Sequence, residues 1–274
     1  MTLFYRFSRR VCIIVCRLFF RLRTWDLENA PLAGGAILAS NHQCYLDPPL
    51  ATCLIRRQCH YLARSSLFGF APFRWLIIRL GAVPLERGES DSAGLRRAVE
   101  MLRSGKLLML FPEGTRTRDG ALGQIQPGAA VIALRAGVPV VPVFIHGAFD
   151  CWPRTRRLPR PGRVGVFYGR PIAAPADPAG GHRAQVRELA ARIRSALEEL
   201  QRRAFETMPL KSRRAPVAAR TGTGQDGPAP GDPPASAEGR ERAARPAPPE
   251  GHRCQCGTSG TGSSGASPGA LSDG

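Results

Sequence analysis

Short apolar segments alternate with helix-like segments of about ten residues along most of this chain. This alternation is typical of an α/β fold, in which helices flank a mainly parallel sheet. The strand-like segments are 34–39, 60–63, 81–85, 106–111, 138–145 and 163–168, and the helix-like segments are 48–57, 70–80, 95–102, 128–136 and 186–200. Prolines within 138–145 favour an edge or irregularly paired strand at that position.

Polar side chains follow several of these predicted strands directly. His42, Arg87, Glu113 and Arg116 each come just after a strand-like segment. Because functional groups of open α/β sheets gather beyond the carboxyl ends of the strands, these positions predict a site along one edge of the sheet.

His42 and Asp47 stand five residues apart, immediately after the first predicted strand. On one continuous helix the two side chains would point about 140° apart, so the chain must bend between them. Pro48 suits the first turn of a helix, which predicts Asp47 at the N-cap and His42 on the preceding loop. Asp47 then either caps the helix or orients the imidazole so that its other nitrogen takes a proton from a hydroxyl.

The other motifs are ambiguous when each is considered alone. The segment 112–116, Pro-Glu-Gly-Thr-Arg, can be a turn that needs a glycine, and Arg87 can be a solvated surface charge. Together they supply a general base, two guanidinium groups able to bind phosphate through two hydrogen bonds each, and a glycine that permits close backbone approach. Transfer of an acyl group to a phosphorylated alcohol requires these groups.

Four sequence blocks occur in an order that resembles the glycerolipid acyltransferases, typified by 1-acylglycerol-3-phosphate acyltransferase. The blocks are Asn41-His42-x4-Asp47, Gly81-x2-Pro84-x2-Arg87, Phe111-Pro112-Glu113-Gly114-Thr115-Arg116 and Val138-Pro139-Val140-Val141-Pro142-Val143. The resemblance covers residues 30–200 and is most specific in the third block.

The resemblance implies transfer of a fatty acyl group from acyl-CoA or acyl-carrier protein to the free hydroxyl of 1-acylglycerol-3-phosphate, which gives phosphatidic acid. His42 and Asp47 would be the catalytic pair, and no metal or cofactor is expected. The substrate-binding residues implied are Arg64, Arg87, Glu113, Gly114, Thr115 and Arg116. Many members carry Lys and Glu where Arg64 and Ser66 stand here, so the alternative acceptors are another lysophospholipid or an acylated amino-acid lipid.

The cysteines raise two separate chemical possibilities, an acyl-accepting thiol and a metal site. Many family members have Ser at the position of Cys44, which raises the hypothesis of an acyl-accepting thiol, but a spacing of two residues from His42 is awkward for a nucleophile and its base. His252, Cys254 and Cys256 have no fourth ligand nearby, so we expect no metal site there. The absence of a CxxC pair is typical of reduced cysteines.

Residues 1–25 carry six arginines and no acidic residue. No charge-free run there is longer than six residues, so a transmembrane helix is not expected. On a helix the arginines at 6, 10, 17 and 21 share one side, and the apolar residues at 4, 11, 15, 18, 19 and 22 lie opposite. The pattern predicts an amphipathic helix in the interface of an anionic membrane, at the cytoplasmic face of the inner (plasma) membrane. The alternative is a helix packed on its own domain.

The formal charge of +18 raises the alternative of a nucleic-acid-binding protein. The arginine-rich run 154–163 has no stacking aromatics interleaved with it and no recognisable nucleic-acid-binding fold, so no nucleic-acid partner is expected. A catalytically inactive membrane module is disfavoured because His42, Asp47 and Glu113 are all intact.

The sequence divides into a membrane-associating helix (1–25), an acyltransferase domain (26–208) and a tail (209–274). The tail contains no aromatic residue and is rich in Gly and Pro. Such a segment buries too little apolar surface to offset its ordering entropy, so it is predicted to be disordered.

Overall fold

The computed structural model of the protein describes residues 2–64, 68–85, 91–174 and 181–210. The helices in these ranges are α1 (Leu3–Phe19), α2 (Asp47–Thr52), α3 (Ala71–Arg79), α4 (Asp91–Arg103), α5 (Gly128–Ala136), α6 (Ala148–Cys151) and α7 (Gly181–Thr207). The strands are β1 (Arg23–Trp25), β2 (Ala36–Ser40), β3 (Cys59–Arg64), β4 (Ala82–Leu85), β5 (Leu107–Leu110), β6 (Val140–His146) and β7 (Gly165–Tyr168). The tail predicted to be disordered lies, from residue 211 onward, outside the described residues.

The seven strands form one sheet in the order β1-β7-β6-β2-β5-β3-β4. All neighbouring pairs are parallel except β6 and β7, which run antiparallel. The predicted α/β fold with a mainly parallel sheet is therefore confirmed.

Strand β2 lies in the middle of the sheet, hydrogen-bonded to β5 on one side and β6 on the other. All five of its residues are buried, because helices cover both faces of the sheet. Leu38 packs into the core cluster that includes α2 and part of α1, whereas Ile37 packs against residues of α4, α5 and α7. The loop that follows β2 therefore emerges between the ends of β5 and β6.

Strand β6 is internal, so the prediction of an edge strand at 138–145 is wrong, whereas the alternative of irregular pairing is confirmed: the ladder with β7 begins at Val143, and Val140 forms an isolated antiparallel bridge with Ile172. Pro142 pairs with Ala39 of β2, but it lies just beyond the ladder with β7, which begins at Val143. The Pro142 carbonyl still accepts a hydrogen bond from the Gly169 N–H at 2.8 Å. Pro142 has no N–H to donate, and it lies at a position where no residue of the β7 ladder needs a hydrogen-bond donor.

Two predicted helices are shorter in the structure. The N-terminal helix, predicted within residues 1–25, ends at Phe19, because Arg21 adopts a positive φ of 44° and the chain then enters β1, which pairs with β7. Residues 23–25 therefore belong to the sheet. The helix expected over 48–57 is α2, which ends at Thr52. Among the described helices, none combines the length and apolar character needed to cross a bilayer.

Candidate active site

The loop that follows β2 brings His42 and Asp47 into direct contact. His42 Nδ1 lies 2.7 Å from Asp47 Oδ2. The Asp47 side chain is completely buried, whereas 20% of the His42 side chain is exposed. The predicted bend between the two residues is therefore present, and His42 Nε2 is the ring nitrogen left for an incoming substrate.

The prediction that Asp47 occupies the N-cap of α2 is wrong. Asp47 is the first residue of that helix, and Leu46 occupies the N-cap position. Its carboxylate instead turns back to the preceding loop. Oδ2 accepts the backbone N–H groups of Gln43 at 2.5 Å and Cys44 at 2.8 Å in addition to the imidazole contact. Because one oxygen collects these donors, the loop closes into a tight ring around the carboxylate, which fixes the position of the imidazole.

The His42 backbone is held by the loop that follows β5. Its N–H donates to Glu113 Oε1 at 2.8 Å, and its carbonyl accepts the Thr117 N–H at 2.8 Å. The imidazole also stacks on Phe111, with ring centroids 3.9 Å apart and an interplanar angle of 16°. The ring of His42 is therefore oriented by packing on one side and by a carboxylate on the other.

Glu113 links two loops through its carboxylate. Besides the His42 N–H, it binds the Gly123 N–H through Oε2 at 2.9 Å. Burial raises the pKa of Glu113, and the two backbone N–H donors act in the opposite direction. Since both oxygens are engaged with the backbone, the geometry suits a residue that positions His42 better than one that contacts the substrate.

Asn41 and Gln43 are two functional-site residues that the sequence analysis did not assign. The Asn41 side chain makes two hydrogen bonds to the backbone of Ile145 in β6, at 2.9 and 2.7 Å. Gln43 accepts the Phe149 N–H at 3.1 Å and donates to the Gly120 carbonyl at 3.4 Å. Both side chains are almost fully buried, and they fasten the His42 loop to its neighbours.

The third sequence block forms the other side of this edge. Gly114 adopts a φ of +69°, and a Cβ there would meet no atom within 4 Å, so the turn rather than close approach requires glycine. Thr115 is exposed. The Arg116 guanidinium lies over the ring of Tyr45, 3.6 Å from its centroid. Tyr45, which the sequence analysis also left unassigned, thereby places the guanidinium beside the His42 loop.

The structure does not describe the side chains of two predicted phosphate ligands, Arg64 and Arg87. Arg64 is the last residue of β3, so its backbone lies at the carboxyl edge of the sheet. Its side chain lies outside the described part of the structure. Arg87 stands two positions beyond the end of β4 in the sequence and lies outside the described residues altogether.

Cys44 is buried against the same carboxylate as His42. Its Sγ donates to Asp47 Oδ1 at 3.2 Å and accepts the Leu46 N–H at 3.3 Å. Burial raises the pKa of Cys44 far above its usual range, and the Asp47 charge adds to that effect. A buried, protonated thiol is a poor nucleophile, so the geometry disfavours the acyl-accepting thiol.

These groups define the chemistry available at the edge of the sheet. A partly exposed imidazole, oriented by a buried carboxylate, can remove a proton from a hydroxyl group. A guanidinium on the adjoining loop can bind an anionic group of the same molecule.

A family model described as Acyltransferase matches residues 21–146 of the chain, which include β1 to β6 and every site residue named above except Phe149. A chloroplastic 1-acyl-sn-glycerol-3-phosphate acyltransferase, LPAT1 of Arabidopsis thaliana, is 33% identical over 159 residues, which are 56% of this chain and 44% of that protein. The 1-acyl-sn-glycerol-3-phosphate acyltransferase of Bacillus subtilis is 24% identical over 169 residues, 61% of this chain and 82% of that one. The chain therefore spans less than half of the plant relative and most of the bacterial one.

The fold is similar to the crystal structure of the 1-acyl-sn-glycerophosphate acyltransferase PlsC of Thermotoga maritima. The TM-score is 0.56 and the sequence identity is 27%, with 72% of this chain and 78% of that chain covered.

Proposed function

We propose that this chain, which is similar to glycerolipid acyltransferases, acylates the free hydroxyl of 1-acylglycerol-3-phosphate to give phosphatidic acid. Acyl-CoA or acyl-carrier protein supplies the fatty acyl group. The observation that carries the proposal is the 2.7 Å contact between His42 Nδ1 and the buried Asp47 carboxylate at the carboxyl end of the central strand.

The proposed reaction is direct transfer. His42 Nε2 takes the proton of the acceptor hydroxyl while the hydroxyl oxygen attacks the thioester carbonyl. The tetrahedral intermediate then collapses, the carbon–sulfur bond breaks, and the departing thiolate takes the proton back from the imidazolium. Asp47 stabilises the imidazolium and fixes its orientation, and Glu113 and Asn41 keep the loop in place.

The acceptor phosphate is proposed to bind to the guanidinium groups that follow the parallel strands. Arg116 lies on the loop after β5, held over Tyr45. We also propose Arg64 and Arg87 as phosphate ligands from their places at and after the ends of β3 and β4. Gly114 and Thr115 would shape the turn that presents Arg116.

A membrane surface is the proposed source of the acceptor. Helix α1 packs on the domain through Tyr5 and Cys16, and an exposed apolar stripe runs along its other side. The stripe consists of Leu3, Phe7, Val11, Ile14 and Leu18, within roughly 80° of one another around the helix. Helix α3 lies against α1 through an edge contact of Phe4 with Trp75, whose ring is half exposed. This surface supports an interfacial helix, and we propose that it binds an anionic membrane at the cytoplasmic face.

The reaction is tested by mass spectrometry of products formed from a panel of lysolipids with acyl-CoA and with acyl-carrier protein. We expect phosphatidic acid from 1-acylglycerol-3-phosphate, and loss of this product in His42→Ala. His182→Ala, which removes an exposed imidazole from α7, is the matched control and keeps full activity. Near-normal turnover by a folded His42→Ala variant refutes the assigned base, and acylation of a different lysolipid alone refutes the acceptor.

A further inference from the structure

Three cysteine thiols meet where α1 packs against the end of α2. Cys12 and Cys16 lie one helical turn apart on α1, and Cys53 is the C-cap residue of α2. Their sulfur atoms all lie within 4.8 Å of one another, and the Cys12 and Cys16 sulfurs are 3.8 Å apart. The proposed acyl transfer uses none of these thiols, and Cys53 lies at the opposite end of α2 from its first residue, Asp47.

The spacing of the sulfurs matches that of a three-coordinate metal site. With metal–sulfur bonds of about 2.3 Å, three thiolates in a plane around one ion lie roughly 4 Å apart. The 3.8 Å separation of the Cys12 and Cys16 sulfurs is already close to this value, and the other separations, at most 4.8 Å, need only a small contraction. Among the residues that the structure describes, no histidine, carboxylate or further cysteine joins the group as a fourth ligand.

The cluster is accessible from solvent through one of its three thiols. Cys12 is partly exposed, whereas Cys16 and Cys53 are buried. An ion can therefore reach Cys12 from solvent and then displace the protons of the inner thiols.

We propose that Cys12, Cys16 and Cys53 form a binding site for a soft monovalent metal ion, with Cu(I) the ion that best fits three sulfur ligands. Thiolates select soft ions, and Zn²⁺ usually takes a fourth ligand, whereas Cu(I) accepts three. Binding releases the thiol protons to solvent and changes the oxidation state of neither sulfur nor metal. The bound ion would connect the N-terminal helix to the helix that begins with Asp47.

The test uses the full chain with Cys254→Ser and Cys256→Ser, which removes the thiols of the tail from competition. Cu(I) is added without oxygen in the presence of a colorimetric Cu(I) chelator, and X-ray absorption measures the ligand set. We expect one ion per chain, coordinated by three sulfurs. We also expect Cys12→Ser, Cys16→Ser and Cys53→Ser each to weaken binding at least tenfold. Cys151→Ser, a buried thiol outside the group, is the matched control and retains binding.

A second measurement needs no substitution in the cluster. Alkylation of Cys12, followed by peptide mass spectrometry, slows at least tenfold when Cu(I) is bound if this residue is a ligand. Cysteines that act only as small apolar packing residues predict no Cu(I) retained against the chelator and an unchanged alkylation rate. Either of these results, or binding that survives all three cluster substitutions, overturns the proposal.

Discussion

Replacement of Asp47 by Asn separates the orienting charge of the active site from its shape. Asparagine has almost the same size as aspartate and keeps one oxygen acceptor, so the loop around position 47 can close as before. The negative charge beside His42 is lost. We expect a folded protein with a large loss of turnover and an unchanged acceptor KM, because Asp47 is too deeply buried to contact the substrate.

The expected magnitudes follow from the hydrogen bonds of one oxygen atom. Asp47 Oδ2 accepts three N–H donors, from the His42 ring and from the backbone of Gln43 and Cys44. A hydrogen bond to a charged acceptor contributes about 1 kcal/mol more than a neutral one, so the variant loses about 3 kcal/mol of unfolding free energy. For a domain of this size that corresponds to a fall of roughly 6–12 °C in Tm.

The Asp47→Asn substitution should also lower kcat, separately from its effect on stability. The carboxylate stabilises the imidazolium that forms when His42 takes the hydroxyl proton. Removing that assistance costs about 10²- to 10⁴-fold in kcat. In free energy of activation this is roughly 3–5 kcal/mol.

The assay follows release of the donor thiol with 1-acylglycerol-3-phosphate, well below the unfolding temperature of the variant, and circular dichroism measures thermal unfolding. Asp26→Asn is the matched control: it removes a carboxylate whose side chain is 31% exposed and pairs with Arg203 on the surface, so we expect full activity. A folded Asp47→Asn enzyme with kcat within tenfold of wild type would refute the orienting role. A rise in acceptor KM alone would place Asp47 in the substrate site instead.

Three further substitutions test neighbouring groups. Glu113→Gln should lower kcat about 10²-fold with an unchanged acceptor KM, because a displaced His42 reacts slowly; a higher acceptor KM alone would return Glu113 to the phosphate site. Burial raises the pKa of Glu113, so its stabilising contribution is full below the ordinary value of 4.5 and is lost as the pH rises through the folded-state pKa. Urea titrations should therefore show the stability of wild type relative to Glu113→Gln decreasing from acidic to neutral pH, and a constant difference would contradict this linkage. Cys44→Ala should keep kcat within about tenfold, since the thiol makes only weak hydrogen bonds, to Asp47 and from the Leu46 N–H; an inactive, folded variant would support the thiol nucleophile. Tyr45→Ala should raise the acceptor KM about 2- to 30-fold through loss of the cation–π contact that holds Arg116, and an unmoved KM would remove that residue pair from phosphate binding.

The features of the site that could be predicted are those determined by residues near one another in the sequence. A buried strand followed by His42, a bend and Pro48 indicate the contact between His42 and Asp47, because the two partners are only five residues apart, one on the loop and the other at the first residue of α2. The glycine at position 114 likewise indicates a turn. Helix α5 was predicted with the correct bounds because its apolar period and the glycine at its end agree.

The parts that were not predictable depend on distant backbone atoms. Glu113 binds the N–H of a residue 71 positions earlier, and Asn41 binds the backbone of a residue 104 positions later. Backbone N–H and carbonyl groups occur at nearly every position, so such partners leave no pattern in the side chains. The cysteine group also depends on a distant contact: the spacing of Cys12 and Cys16 on α1 is visible in the sequence, whereas the approach of Cys53 at the end of α2 is not.

The distant hydrogen bonds of the His42 loop determine when, during synthesis, the proposed acyltransferase site can be completed. The two reacting side chains leave the ribosome almost together, but Glu113 follows about 70 residues later and Ile145 about 100 residues later. Until β6 has been translated and has paired with β2, the nascent chain contains His42 and Asp47 but lacks the hydrogen bonds that hold their loop in position. Premature release upstream of Ile145 would therefore yield a fragment that carries the complete HxxxxD motif and no activity.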